Sequence, residues 1–472
     1  MNPIQLSRRD VLRNAACGFG HVALLGMLQS IGKAVELTDH QNPLACREPH
    51  FPATAKRVIF LFMHGGVSHI DSFDPKPKLT ELSGQPLPFK TPLQFAVKPQ
   101  GNLLPSLWNF KQYGQSGLPV SDLFPHVGSV VDEICMIHSM HVDQVDHGGA
   151  ILQLHTGSAV FPRPSMGAWV LYGLGTENQN LPGFITISPQ LIHGVTQNYG
   201  AGFLPATFQG TPYGNASVPM AQARLQNLAR AEQSVASERL QLDWIRAANE
   251  RHRQHANDDS RLDARIAAFE LAFRMQMEAP DVVDLSRESA DTLQAYGIDG
   301  GPTDNFGRQC LLARRFSEKG VRFVQCSHTY KWDQHSDLQT KHGQNAIEVD
   351  KPIGALIRDF KSRGMLQDTL VVWGTEFGRT PTTEGAGGNG RDHNPYGFTM
   401  WMAGGGVKGG ISHGATDEFG YYAIEKRVSM YDLHATILHL MGFDHTKLTY
   451  RHAGRDFRLT DVQGSIIQEI LA

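Results

Sequence analysis

Between Leu370 and Gly410 an apolar run, Leu370-Val371-Val372-Trp373, leads directly into Gly374-Thr375-Glu376-Phe377-Gly378-Arg379-Thr380, and a glycine-rich loop then delivers Arg391-Asp392-His393-Asn394-Pro395. Two other segments repeat this order. Arg57 to Met63 ends in His64-Gly65-Gly66-Val67-Ser68-His69-Ile70-Asp71, and Val321 to Cys326 leads to His328 and then Trp332-Asp333-Gln334-His335-Ser336-Asp337. Carboxylate and imidazole groups gathered this way are metal ligands, and a divalent ion held by them lowers the pKa of bound water or hydroxyl. The chain has 22 His in 472 residues, so some clustering arises by chance. What carries the metal reading is that all three clusters sit directly after strand-like apolar runs.

A sheet is the element that brings such distant segments together. Buried parallel strands read as continuous apolar runs, and open α/β folds bind ligands at the carboxyl ends of their strands. Glu133 to Met140 reads as a further strand, after which the chain passes Asp143, Asp146 and His147 into a helix-like run, Gly148 to His155, stopped by Thr156-Gly157. From Pro219 to about Arg274 the sequence is charged and alanine-rich with apolar residues at helical spacing, which predicts a helical insertion at about 219–280, two long helices broken near Asn257-Asp258-Asp259. Gly404, Gly405 and Gly406 follow the strand-like run Phe398 to Ala403 without a helix start, so they predict a tight turn and not a phosphate cradle.

Ser7-Arg8-Arg9-Asp10-Val11-Leu12-Arg13 followed by the weakly apolar run Ala15 to Leu28 predicts a twin-arginine export signal over residues 1–35, with a lead-in at 36–55 and the main domain at 56–472. The export machinery is thus an expected partner, and a periplasmic or extracellular location follows. That route carries proteins already folded, which suits a loaded metalloprotein. No later segment approaches the roughly 18 unbroken apolar residues of a membrane span. With 41% hydrophobic and 19% charged residues the chain can bury a large core, and its formal charge of -3 gives no reason to expect nucleic acid as a partner. Without a Cys-x-x-Cys pair, a thiolate zinc site is not expected; Cys135 and Cys326 lie in strand-like runs and read as small buried hydrophobes.

Taken together, His64 to Pro75, Trp332 to Asp337, Gly374 to Pro381, Arg391-Asp392-His393 and Ala403 to Gly410 resemble the family known as domain of unknown function 1501, grouped with the alkaline phosphatase and sulfatase superfamily. The resemblance implies a three-layer α/β/α sandwich of alkaline phosphatase-like type with a mostly parallel central sheet and one or two divalent metal ions above it. Carried over by position, His64 stands where the first acid of the superfamily is usual, Asp333 and His335 match a later pair, Glu376 matches the acid of an Asp-His pair, and His393 matches the last His. Phe377 occupies a ligand position, so Asp71 or His69 is left to complete the set. In sulfatases the helix leading to Thr-Gly begins with the nucleophile and an Arg shortly after it; here that segment offers His147 and no Arg, against a formylglycine-type mechanism.

The expectation is therefore an exported hydrolase of a phosphate or sulfate ester, with a small-molecule or carbohydrate anionic ester as substrate. Asp333, His335, Glu376 and His393 would bind metal, and His64 and Asp71 would complete the site. His147 and Ser68 are the reactive candidates, beside a metal-bound hydroxide, and Arg379 and Arg391 would clamp substrate oxygens. Imidazole and carboxylate ligands favour zinc, iron or manganese over calcium. The competing expectation is a non-catalytic binding or envelope protein that keeps the fold, with or without one structural metal.

Overall fold

The inner strands of the nine-stranded central sheet are mostly apolar runs, and its edge strands are short and partly polar. Its strands are β1 (Arg57–Met63), β2 (Ile134–His141), β3 (Phe184–Ile187), β4 (Thr211–Tyr213), β5 (Phe323–His328), β6 (Thr369–Gly374), β7 (Phe398–Ala403), β8 (Ile411–His413) and β9 (Val428–Ser429). They lie in the order β8-β2-β7-β6-β1-β5-β3-β4, with β9 also on β2. Only β7 runs against its neighbours β2 and β6; every other pairing is parallel. The computed structural model describes residues 42–92, 100–224, 239–241, 243–245, 247, 248 and 260–472. The expected export signal at 1–35 and the expected helix break at Asn257-Asp258-Asp259 lie outside the described residues.

Alternation along β1 shows why the sheet needs helices on both faces. Val58, Phe60 and Phe62 enter one core, shared with helices α1 (His147–Thr156), α2 (Met166–Leu174) and α6 (Met430–Leu440) through Ile151, Trp169 and Ile437. Ile59, Leu61 and Met63 enter the other, shared with α4 (Asp304–Glu318) and α5 (Leu338–Ser362) through Leu311, Val349 and Ile353. The result is the expected three-layer α/β/α sandwich. Each such side chain contributes about 1.5–3 kcal/mol when fully buried, so the sheet forms a stiff platform. The insertion supplies α3 (Ser260–Val283), whose Met275, Ala279 and Val282 dock on the α4/α5 side.

The segment expected as loop after Glu376 is more ordered than its glycines imply. Gly378–Glu384 and Arg391–Asn394 pair antiparallel, with Arg379 opposite His393, and Gln100–Leu103 adds a third strand. Threonines 380, 382 and 383 supply β-branched side chains, while the glycines collect in the turn at 385–390. Behind β1, Gly65 has φ +124 and lies so close to Trp332 and Asp333 that a Cβ would meet the Asp333 nitrogen at 2.7 Å. Glycine there lets the β1 loop press directly on the Asp333 segment.

Candidate metal centre

Five parallel strands release their chemistry at one edge. β1 hands over to His64, β2 to the loop ending at His147, β3 to the segment carrying His193, β5 to Tyr330, Asp333 and His335, and β6 to Glu376; the hairpin strand Arg391–Asn394 adds His393. Asp146 caps α1 by accepting the Gly149 N–H at 2.8 Å, so that helix starts at His147, one residue before the expected start.

Asp333 is the hub of this edge. Its Oδ1 is 2.9 Å from His335 Nε2 and 3.3 Å from each of His147 Nε2 and His393 Nε2. The Arg379 guanidinium donates to the same oxygen at 2.6 Å, and the Tyr330 hydroxyl donates to Oδ2 at 2.6 Å. His335 Nε2 and His393 Nε2 are 3.0 Å apart.

The outer nitrogen of each ring fixes where its proton is. His393 Nδ1 lies 2.7 Å from the Val145 carbonyl, which can only accept, so Nδ1 donates. His147 Nδ1 donates to Glu376 Oε1 at 2.7 Å, and His335 Nδ1 donates to the Glu384 carboxylate. With those protons committed outward, each neutral ring turns an Nε2 lone pair toward Asp333 Oδ1. Three lone pairs and an anionic oxygen this close repel one another unless positive charge lies among them. His147 Nε2 is buried and makes no hydrogen bond of good geometry.

The electrostatics run the same way. Burial alone would raise the Asp333 carboxyl, but the charge of Arg379 and any cation or proton held between Oδ1 and the Nε2 atoms of His147, His335 and His393 keep it far below the usual range. Burial would lower His147, yet the Asp333 and Glu376 carboxylates outweigh it and raise its affinity for a proton. Burial opposes ionised Glu376 as well, but His147 and His64 hold it down to about 2. A place that draws a proton this way also draws a metal cation.

The residues present fit a divalent ion. Ligands about 2.0 Å from a tetrahedral centre stand about 3.3 Å apart. The separations of 2.9 to 3.3 Å from Asp333 Oδ1 to the three rings, and of 3.0 Å between His335 and His393, fall at or just under that edge. His147, Asp333 and His393 form one ligand group, and His335, Asp392 and His393 form a second that shares a ring with it. Asp392 accepts the His393 N–H at 2.7 Å through Oδ1, while its buried Oδ2 has no partner and burial raises its carboxyl.

Other expected site residues are placed elsewhere. Asp71 is fully buried in a two-point ion pair with Arg391, at 2.8 and 3.2 Å, and accepts the Ser68 hydroxyl at 2.5 Å. Both therefore stand apart from the imidazole group, with their polar atoms already engaged. Arg391 pairs with Asp71 in place of its neighbour Asp392, and its remaining donors go to the carbonyls of Thr380 and Pro105. Arg379 is just as closed: it binds the carbonyls of Gly65, Gly66, Trp332 and Arg391 besides Asp333. Neither guanidinium presents surface to solvent, so neither is placed to clamp a substrate from outside. His64 faces His193, with Nε2 3.1 Å from His193 Nδ1. Glu376 stands behind His147 and accepts from the Gly65 N–H at 2.9 Å and the Thr375 hydroxyl at 3.0 Å. Phe377 packs against the His147 and His393 rings at 4.8 and 4.5 Å, an apolar wall at the position the resemblance assigns to a ligand.

His193, Tyr330, Glu384 and Asp392 complete the environment and are absent from the set expected from the sequence. His193 follows a strand end like the others, but β3 has only four residues and its signal is correspondingly short. Glu384 closes a strand hidden among glycines and threonines. Its role, and that of Glu376, is to aim an imidazole, and replacing such an outer partner costs 10- to 100-fold in metal affinity. Glu376→Gln is accordingly expected to weaken metal binding by about that factor while the fold persists, read by competition with a chromogenic chelator.

The chain belongs to the family described as protein of unknown function DUF1501, whose model matches residues 55–471. No curated protein matches it. Similar solved structures include a sulfatase from Pseudoalteromonas sp. with 13% identity, covering 83% of this chain and 68% of that one at a TM-score of 0.36. An alkaline phosphatase from the Antarctic bacterium TAB5 has 11% identity, covering 83% and 99% at 0.36. The lipoteichoic acid synthase LtaP from Listeria monocytogenes has 10% identity, covering 88% and 78% at 0.35.

Proposed function

We propose that this chain is an exported, metal-dependent hydrolase of a phosphate or sulfate ester, a distant relative of the alkaline phosphatases and sulfatases. The observation that carries the metal dependence is the set of three imidazoles whose Nδ1 protons are all committed outward, leaving three Nε2 atoms around Asp333 Oδ1. His147, Asp333 and His393 would hold a divalent ion, with His335, Asp392 and His393 as a neighbouring group, and zinc, iron or manganese suit that donor set. The ion would supply Lewis acidity to a phosphoryl or sulfuryl centre whose own oxygens repel a nucleophile. The chain's part is orientation. Glu376, Glu384 and the Val145 carbonyl aim the rings, Arg379 and Tyr330 fix the two Asp333 oxygens, and Phe377 keeps water from the inner side. Asp333 and His335 retain 22% and 33% side-chain exposure, so a small-molecule or carbohydrate ester has an approach from that side. Export through the twin-arginine machinery to the periplasm or beyond rests on Ser7 to Leu28.

A second reading has its own support, even though the three donors His147, Asp333 and His393 leave a coordination position open as catalytic sites do. Ser68, the one hydroxyl nucleophile anticipated, is engaged with Asp71. A binding or envelope protein with a structural metal would have this arrangement. Elemental analysis of the exported protein, with aryl phosphate and aryl sulfate turnover before and after chelation, separates the two. About one to two equivalents of metal and chelator-sensitive turnover are expected. Bound metal whose removal only lowers the melting temperature would favour the binding protein, and no bound metal would sink the hydrolase and leave the binding protein in front.

A further inference from the structure

The segment that follows β3 has a backbone whose cost nothing in its own packing repays. Of seven non-glycine residues with positive φ among the described residues, three fall here: Ser188 at 53°, His193 at 53° and the β-branched Val195 at 45°. Such conformations are unfavourable for residues with a Cβ and persist where the surroundings impose them. Apolar burial does not impose them, since Leu191 and Ile192 remain 53% and 44% exposed. Polar anchors do. Gln190 donates to the His328 carbonyl at 3.1 Å and accepts the Tyr330 N–H at 3.3 Å, tying the start of the segment to β5. Asn198 donates to the His193 carbonyl at 2.9 Å and ties its end.

What these anchors hold in place is the His193 ring. It stacks on His147 at 5.4 Å and 24°, lies 5.0 Å from the Tyr330 ring, and turns Nδ1 to His64 Nε2 at 3.1 Å. His64 is fully buried, and its Nδ1 makes no hydrogen bond of good geometry: Gln190 is the acceptor beside the ring, and its Oε1 already takes the Tyr330 N–H. An unpaired buried acceptor is less costly than an unpaired buried N–H, so the His64 proton sits on Nε2 and is donated to His193 Nδ1. His193 then carries its own proton on Nε2, the nitrogen left for a ligand.

The geometry points to His193 as a substrate-contacting residue, its Nε2–H donating to a non-bridging oxygen of the phosphate or sulfate group, with His64 as the positioning residue that fixes its tautomer. This rests on the hydrolase reading above. It gives His64 a role other than metal ligand and explains why a strained segment is retained beside the metal group.

The test is calorimetric titration of the metal-loaded protein with inorganic phosphate and, separately, with sulfate, for wild type, His193→Ala and His193→Gln, each checked for metal content and melting temperature. A hydrogen bond to a charged group is worth about 1.5–3 kcal/mol, so His193→Ala is expected to weaken binding of the preferred anion by about 10- to 100-fold with metal content unchanged. His193→Gln, which keeps an N–H donor, should recover part of that loss. Equal binding by wild type and His193→Ala would overturn the assignment while leaving the hydrolase reading standing. Loss of metal in His193→Ala would also overturn it, by making His193 part of the ligand shell. Metal-loaded wild type that binds neither anion would remove both.

Discussion

Asp333→Ala is expected to reduce bound metal from about one equivalent to a trace and to lower ester hydrolysis by about a thousandfold or more, the equivalent of about 4 kcal/mol. The size of the effect follows from how many groups meet at one oxygen. Oδ1 is the only anionic donor among three neutral imidazoles, and it also neutralises the buried Arg379 guanidinium 2.6 Å away. Without it, a divalent ion would face Arg379 uncompensated; even at an effective dielectric of 20, two unit charges about 4 Å apart interact by about 4 kcal/mol. The fold should survive with a lowered melting temperature, because Arg379 loses its counter-charge but keeps its carbonyl acceptors on Gly65, Gly66 and Arg391. Elemental analysis and a melting curve on the same preparation read both halves. Full metal retention in Asp333→Ala would move the ion to the neighbouring group of His335, Asp392 and His393 and dismiss Asp333 as the hub.

The strands were readable from the sequence because a buried parallel strand has no polar face, so Arg57 to Met63 and Leu370 to Trp373 announce themselves. The principal imidazole and carboxylate clusters were readable for a related reason, since each sits where such a run stops. What the one-dimensional pattern does not carry is which side chain faces inward. Asp71 and Asp333 both follow strand ends beside histidines, yet one is sealed into an ion pair with Arg391 and the other gathers three imidazoles. The difference comes from residues hundreds of positions away. The antiparallel strands Gly378–Glu384 and Arg391–Asn394 deliver Arg391 to Asp71, and Arg379 and His393 to Asp333. Their glycine-bounded sequence conceals the strands, and with them Glu384. His147 was visible as the residue heading a helix, but its membership in the imidazole group depends on Glu376 taking its other nitrogen.

Breaking the Asp71–Arg391 pair gives the complementary result, a large loss of stability with the metal retained. Both side chains have no solvent exposure, and removing one partner from such a pair costs about 3–5 kcal/mol because the other is left charged in a dry interior. Arg391→Met is therefore expected to shift the denaturant midpoint by that amount while bound metal per folded molecule stays at the wild-type value. Asp71→Leu/Arg391→Met should recover much of the loss, since an apolar pair of similar volume needs no compensation. The acid limb carries a second signature. Burial would raise the Asp71 carboxyl, but the Arg391 charge and hydrogen bonds outweigh it and depress it. A depressed carboxyl contributes stability that is full above its unfolded value of about 4 and is lost as pH falls through the folded value. Wild type should lose this contribution on acidification and the double variant should not, so their stabilities converge below about pH 4. If Arg391→Met instead strips the metal at unchanged stability, Asp71 and Arg391 belong to the ligand shell, and the division between a supporting ion pair and a separate imidazole group fails.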